Sequence, residues 1–373
     1  MHLNTAARDG PPFAIGEIMT TAELHASETA SARSYRGLVT RRIAILGGLT
    51  LALVLSVAVD VSLGPARYAV WDVLQTIFAP GTADVQMRVV VWDIRMPMAL
   101  LAVTVGASLS LAGAQMQTIL ANPLASPFTL GLSAAASFGA ALAMVLGVAL
   151  FPGAVALMVP VNAFAMAMAA SMLIFGLSTL RGVTTETIIL LGIALVFSFN
   201  AALALLQYFA SEQALSAVVF WTMGSLTKAT WGKVAITAII LCICTPLFAR
   251  RAWALTAIRL GEVRAAAMGV PVKRLRLEAL VLVSVLAAVP VSFVGTIGFI
   301  GIVGPHVARL LLGEDQRFFL PGAMLSGAVI LSATSVLSKA ILPGAVLPIG
   351  IITALVGVPF FAALILTKGR KSW

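Results

Sequence analysis

Apolar residues fill this chain in long, nearly unbroken runs, and polar residues interrupt them at intervals close to one membrane thickness. A hydrocarbon core about 30 Å thick needs about 20 apolar residues per helix. Runs of that length predict ten spans, at 43–63, 97–117, 128–150, 154–177, 187–208, 233–250, 279–297, 299–313, 318–340 and 347–367. The pattern therefore predicts an all-α fold, a polytopic membrane protein with about ten transmembrane helices, forming one transmembrane domain over 41–373. Residues 1–40 are rich in Ala, Ser, Thr and Glu without an apolar core, so they read as a disordered cytoplasmic tail and not as a cleavable signal peptide. Arg41 and Arg42 stand directly before the first run, as in a retained signal anchor; the start codon is Met1 or Met19.

Two mixed segments break the rhythm. Gly64–Met96 is amphipathic, with Trp71 and Trp92 suited to an interfacial aromatic belt, and Ser211–Trp231 predicts a short helix at the same interface. Both either shape an outer vestibule or serve only as anchors. Small-residue series, GASLSLAGA at 106–114 and SAAASFGAA at 133–141, permit close helix packing. Pro290, Pro305 and Pro359 fall inside apolar runs and predict kinks or breaks.

Composition agrees: 60% of the 373 residues are hydrophobic and 10% charged, so only a bilayer can take up the apolar surface. The net charge of +10 changes the picture through its distribution. With the N-terminus inside, 18 of the 24 Lys and Arg residues fall in cytoplasmic segments and six outside, which places both termini in the cytoplasm of a cytoplasmic (inner) membrane protein. No basic patch interleaved with aromatics points to nucleic acid. Seven of the positive residues (Arg250, Arg251, Arg259, Arg264, Lys273, Arg274 and Arg276) form an island holding LGEVRAAAMGVP, a cytoplasmic loop at about 251–276 built to touch another protein. Ile258–Met268 suits a short helix, Gly269 a left-handed C-cap, and Pro271 the first turn of a second helix.

The candidate chemistry is mostly negative. Segments 96–180, 187–211 and 279–305 contain no Asp, Glu, Lys, Arg or His, whereas ion-coupled carriers keep a titrating or coordinating group near the midplane. Asp60 and Glu186 fall at span ends, where a side chain reaches the interface. His306, beside Pro305 and three residues before Arg309, either hydrogen-bonds backbone freed by the proline or acts at a helix break. No GxxxxGK[ST] loop, HExxH, CxxC or Ser/His/Asp set occurs, so the chain predicts neither an enzyme nor a metal site. Cys242 and Cys244 diverge by about 200° on a helix and read as packing residues.

Seven blocks in order carry a resemblance: IRMP (94–97), GASLSLAGAQMQTILANPLASPFTLGLSAAASFGAA (106–141), FWTMGSL (220–226), LGEVRAAAMGV (260–270), GTIGFIGIVGPHVARLLLGEDQR (295–317), FLPGAMLSGA (319–328) and LPIGIITALVGVPFF (347–361). From about residue 43 onward the chain resembles the permease of ABC-type importers for iron-siderophore, haem and cobalamin, closest to the iron-siderophore branch. The resemblance implies the type II importer fold, two permease subunits around a central path, two cytoplasmic ATPase subunits that bind ATP and Mg, and an external substrate-binding protein. It implies no cofactor on this chain. It further implies that Leu260, Gly261, Glu262, Arg264, Ala265, Ala266, Met268, Gly269 and Val270 form the element that docks into the ATPase. Asn122 and Pro123, in the non-helical NPLASP link, either line the inner mouth of the path or make a plain turn, and Pro305 and His306 mark a path-side helix break.

The chain also departs from the family. Several members carry Arg-Leu-Pro-Arg for docking the binding protein; here Arg95 is kept and Met98 replaces the second arginine. The family's Ala-Asp-x-x-x-Arg reads Ala333, Thr334 through Ser338, with Lys339 as a candidate replacement charge, and Val346 stands where Glu is usual. These departures favour a heterodimer with a second, different permease over a homodimer. The expected cargo is a bulky metal chelate, first a ferric siderophore; no residue set separates catecholate, hydroxamate, haem or corrin. The alternative is an ion-coupled secondary carrier without an ATPase.

Overall fold

The computed structural model describes residues 21–66, 68–150, 157–178, 185–342 and 344–368, and every regular element among them is a helix. In chain order these are α1 (Thr21–Ser62), α2 (Val70–Phe78), α3 (Val85–Val89) running through a π-helical turn at Val90–Arg95 into α4 (Met96–Ile119), α5 (Leu132–Leu146), α6 (Met158–Ser178), α7 (Thr185–Phe209), α8 (Glu212–Thr222), α9 (Trp231–Arg250), α10 (Ala252–Ile258), α11 (Glu262–Ala267), α12 (Val272–Val294), α13 (Ile300–Leu312), α14 (Gln316–Ala340) and α15 (Ile349–Lys368). Seven of these stretches are long and apolar enough to cross a membrane, and Leu132–Leu146, Ile300–Leu312 and Ile349–Ala363 are shorter apolar helices. The ten expected spans each coincide with one of these helices.

The chain divides into two compact units, 1–44 and 45–373. In the first, residues 21–40 are helical, where a disordered tail was expected; Ala, Glu, Leu and Arg in that stretch are good helix formers and outweigh its low hydrophobicity. Residues 1–20 lie outside the described residues. In the second unit α4 is the central element. The most apolar part of its span is 78% buried, against 11% for α7 and 6% for α1.

Small residues explain the centrality of α4. A Cβ at Gly113 would collide with the Gly301 carbonyl of α13, and one at Gly106 with the Gly327 carbonyl of α14. Between them Ser110 donates to the Ala323 carbonyl at 2.6 Å, whereas the buried hydroxyls of Ser108 and Ser326 have no hydrogen-bond partner. Close backbone approach is the main source of helix association where lipid removes the hydrophobic drive. Pro290, Pro305 and Pro359, expected to kink or break helices, lie inside α12, α13 and α15 without interrupting them. The break falls instead at 295–299, between Gly295 at φ +75° and Phe299 at φ +67°.

At the end of the bundle away from the basic island, the distal end, α1 is held by charge. Asp60 is fully buried, not snorkelling, and meets Lys339 of α14 at 3.0 Å. Lys339 also donates to the Asp60 carbonyl at 3.0 Å. Arg95 donates to the carbonyls of Val61 (3.1 Å), Ser62 (2.9 Å) and Ala66, groups a helix C-terminus otherwise leaves unpaired. Ser56 and Ser332 share a hydrogen bond of 2.8 Å one turn earlier. Beside this cluster Trp92 and Trp231 stack at 6.1 Å, and the Trp231 indole donates to the Trp92 carbonyl. Lys339→Met strands a buried carboxylate and is expected to destabilise the protein by about 3–5 kcal/mol. Asp60→Leu combined with Lys339→Met should recover most of that, measured by thermal unfolding in detergent; a double variant as unstable as the single would show that the pair's hydrogen bonds, not its charge balance, hold α1.

Candidate functional site

The basic island folds into a stiff knuckle between α9 and α12. Helix α10 ends at Ile258, and Gly261 at φ +105° interrupts the single helix expected over Ile258–Met268. A conformation that excludes a Cβ residue at Gly261 is the cause, and α11 starts afresh at Glu262. Gly269 takes the left-handed cap as expected, at φ +80°. Its N–H donates to the Ala266 carbonyl (2.9 Å) and the Val270 N–H to the Ala265 carbonyl (3.0 Å), the paired bonds of a Schellman motif. Val270 packs with Ala265 as that motif's hydrophobic contact, and both are buried. Pro271 caps α12, which is the second helix of the knuckle and also a long span.

The expected loop residues therefore split. Ala265 and Val270 face inward and anchor the turn, whereas Leu260, Gly261, Glu262, Arg264, Ala266, Met268 and Gly269 are exposed. Val263, absent from the motif reading, is 84% exposed and lies between Leu260 and Met268 in sequence, so this short helix offers bulky apolar side chains outside the spans. Leu260, Val263 and Met268 are thus large apolar side chains left uncovered at this loop.

Beneath the knuckle lies a polar relay that sequence reasoning missed. Glu262 pairs with Arg276, and Arg276 donates to the Ile119 carbonyl at the end of α4 (3.3 Å). Glu314, between α13 and α14, pairs with Arg259 at the end of α10 and with Arg309 of α13 (3.2 Å). Arg309 reaches Gln117 of α4 at 2.8 Å and lies over the Phe319 ring at 5.4 Å. Deeper, Gln115 donates to Gln316 and Gln316 to Thr118, each at 3.2 Å. Exposed pairs contribute little, but the arginines here are largely buried, and linked pairs hold geometry better than isolated ones. Displacing the knuckle thus displaces the ends of α4 and α13. The signal was faint: Gln115 and Gln117 are amides within a long uncharged run, and Gln316 sits in the charged stretch GEDQR.

Residues 120–131 are non-helical. Asn122 accepts from the Leu124 N–H at 2.9 Å, an Asx turn closed by the Ala125 N–H on the Asn122 carbonyl. Asn122 and Pro123 belong to this turn and lie outside the lining of the large cavity described next. Pro305 and His306 sit mid-helix in α13; His306 is buried with its ring edge-on to Phe360 at 5.9 Å. Arg95 and Lys339, expected to present charge to an external protein, are instead consumed by Asp60 and the end of α1, because buried charge is tolerated only when paired.

An open cavity of about 740 Å³ runs along one side of the bundle, bounded by α5, α7, the end of α8, the 295–299 break and α15. Its polar lining is Ser133, Ser137, Asn200, Gln207, Thr222 and Thr296, and it carries no charged side chain. Phe299 and Leu355 supply apolar wall. Such a surface can pass a large molecule without holding it.

The family model described as the FecCD transport family matches residues 51–367. A protein of Methanocaldococcus jannaschii named as an ABC transporter permease is 37% identical over 330 residues, covering 87% of this chain and 94% of the relative. The molybdate import system permease of Haemophilus influenzae is 32% identical over 340 residues (87% and 96%), and the hemin transport system permease of Yersinia pestis 35% over 328 residues (87% and 97%). A solved structure described as an inward-facing conformation of a metal-chelate type ABC transporter superposes with a TM-score of 0.75 at 31% identity, covering 87% of this chain and 99% of that one.

The relay yields a direct expectation. Glu314→Gln removes the carboxylate shared by Arg259 and Arg309, so amide exchange across 258–270 should rise about tenfold, the effect of losing one charge-assisted hydrogen bond. Unchanged exchange would show that the Schellman turn alone holds the knuckle.

Proposed function

As the chain belongs to the FecCD transport family of ABC transporter permeases, we propose that it carries a bulky metal chelate, first a ferric siderophore, inward across the cytoplasmic membrane. In this reading two ATPase subunits bind the knuckle from the cytoplasm and supply the work, and both termini lie on that side. An external binding protein delivers the cargo. The observation that carries the reading is the knuckle itself: a capped loop outside the spans with Leu260, Val263 and Met268 exposed, joined through Glu262–Arg276 to the end of α4 and through Arg259–Glu314–Arg309 to α13. Stiffness matters because a floppy loop would absorb nucleotide-driven motion.

The cavity supports the cargo class. An uncharged lining of Ser, Asn, Gln, Thr and apolar side chains suits a large chelate whose charge is masked by its ligand, and suits poorly a small bare oxyanion, which needs cationic or clustered donors. The lightly buried α7 and the apolar surface of α15 flank that cavity, and a second permease subunit would close it from the other side. A different partner chain is favoured over a second copy because Met98, Thr334 and Val346 stand where the resemblance expects an arginine, an aspartate and a glutamate. Against an ion-coupled carrier, Asp60 is the one buried carboxylate among the described residues; it is locked to Lys339 and lies outside the cavity lining.

Uptake of iron-labelled catecholate and hydroxamate siderophores, haem, cobalamin and molybdate, compared in cells lacking and regaining this chain, tests the reading. A chelate whose uptake depends on both the chain and an ATPase is the expected result; uptake persisting without any ATPase would sink it. Gly269→Pro cannot adopt φ +80°, so it should lower uptake at least about tenfold while the assembled partner still hydrolyses ATP.

A further inference from the structure

A second cavity, about 680 Å³, is walled by residues of α1, α4, α9, α10 and α14. We propose that it binds an anionic glycerophospholipid from the surrounding bilayer, one acyl chain lying in the groove and the phosphate at its basic mouth.

The groove exists because of how α1 is held. Residues 45–62 meet α14 through Ser56–Ser332 and Asp60–Lys339, both toward the distal end. Nearer the basic end a space remains between α1, α4, α9 and α14, lined by Leu53, Ala107, Leu241, Met324 and Ala328. Alanines at 107, 249, 252 and 328 leave room where larger side chains would have closed it. The one hydroxyl in the middle, that of Thr245, is spent on the Leu241 carbonyl at 2.7 Å and the Met324 sulfur at 3.7 Å. An ordered water needs two to four polar partners, and this stretch does not supply them. Its walls belong to membrane-spanning helices, so the molecule at hand to fill it is an alkyl chain.

The mouth is polar and basic. Arg317 lines it directly; its Nε and Nη2 donate to Asp315, at 3.1 and 2.7 Å, and a guanidinium carries five donors in all. Ala249 and Ala252 also line the groove, so the exposed Arg250 and Arg251 between them flank the same end. Arg251 shares Glu278 with Arg274. Three arginines beside this mouth face two carboxylates, an excess of positive charge that favours a headgroup of net negative charge over a zwitterionic one. This site uses neither the uncharged cavity nor the exposed face of α11, although its mouth shares Arg250 and Arg251 with the basic island.

The test uses the full transporter in phosphatidylcholine nanodiscs containing a trace of phosphatidylglycerol with a photoactivatable acyl chain, and adducts are mapped by mass spectrometry. Adducts should concentrate on Leu241, Met324 and Leu325. Unlabelled phosphatidylglycerol should compete and extra phosphatidylcholine should not. Ala249→Trp should empty the groove of label, and Arg317→Gln should reduce labelling by about fivefold, the effect of one juxtamembrane cation. Label spread evenly over exposed positions such as Leu51, Ile239 and Ile243, equal competition by phosphatidylcholine, or a groove occupied by a protein partner would each overturn the assignment. If Ala249→Trp does not fold, the competition between the two lipids on the unaltered protein decides.

Discussion

The close approach of α4 to α13 and α14, where glycines meet backbone carbonyls, is the contact on which the rest of the molecule hangs. In lipid there is little hydrophobic force between helices, so separation distance governs how strongly they hold. Gly113 against Gly301 and Gly106 against Gly327 set that distance at two levels of the same helix. Because α4 is fixed in depth, its far end brings Gln115, Gln117 and Thr118 to the groups of α13 and α14 that pair with them. Its near end brings Arg95 to the terminus of α1. Packing without charge in the middle thus places charge at both ends.

Most of the architecture was legible in the chain because spans announce themselves through length and hydropathy, and all ten coincide with helices. The knuckle was legible at Gly269, whose cap chemistry is local, and misread at Gly261, because a glycine at the start of a short helix looks the same as one inside a longer helix. Residues 21–40 were misread from low hydrophobicity, although their helix propensity pointed the other way. What remained invisible were pairings distant in sequence. Asp60 and Lys339 looked like two interfacial charges; only the fold joins them across 279 positions and removes Lys339 and Arg95 from the outer surface. The Glu314 relay escaped for the same reason: its arginines read as topology signals, and their partner sits in a loop of another helix pair.

Two cavities walled by different sets of helices differ in their chemistry accordingly. The larger has hydroxyl and amide side chains spread along its length and no ion; the other is greasy along its length and polar at one mouth. The first suits a molecule in transit, which must meet many weak contacts and no strong one. The second suits a resident, oriented by a single charged end. The relay at the basic end touches neither lining except through Gln316, which joins the α4 terminus and borders the second groove.

The outward-pointing Leu260, Val263 and Met268 also bear on how the isolated chain behaves in solution. Apolar side chains bared to water on one loop favour contact with a second such loop, so copies purified alone should self-associate more readily than copies in which that loop is covered.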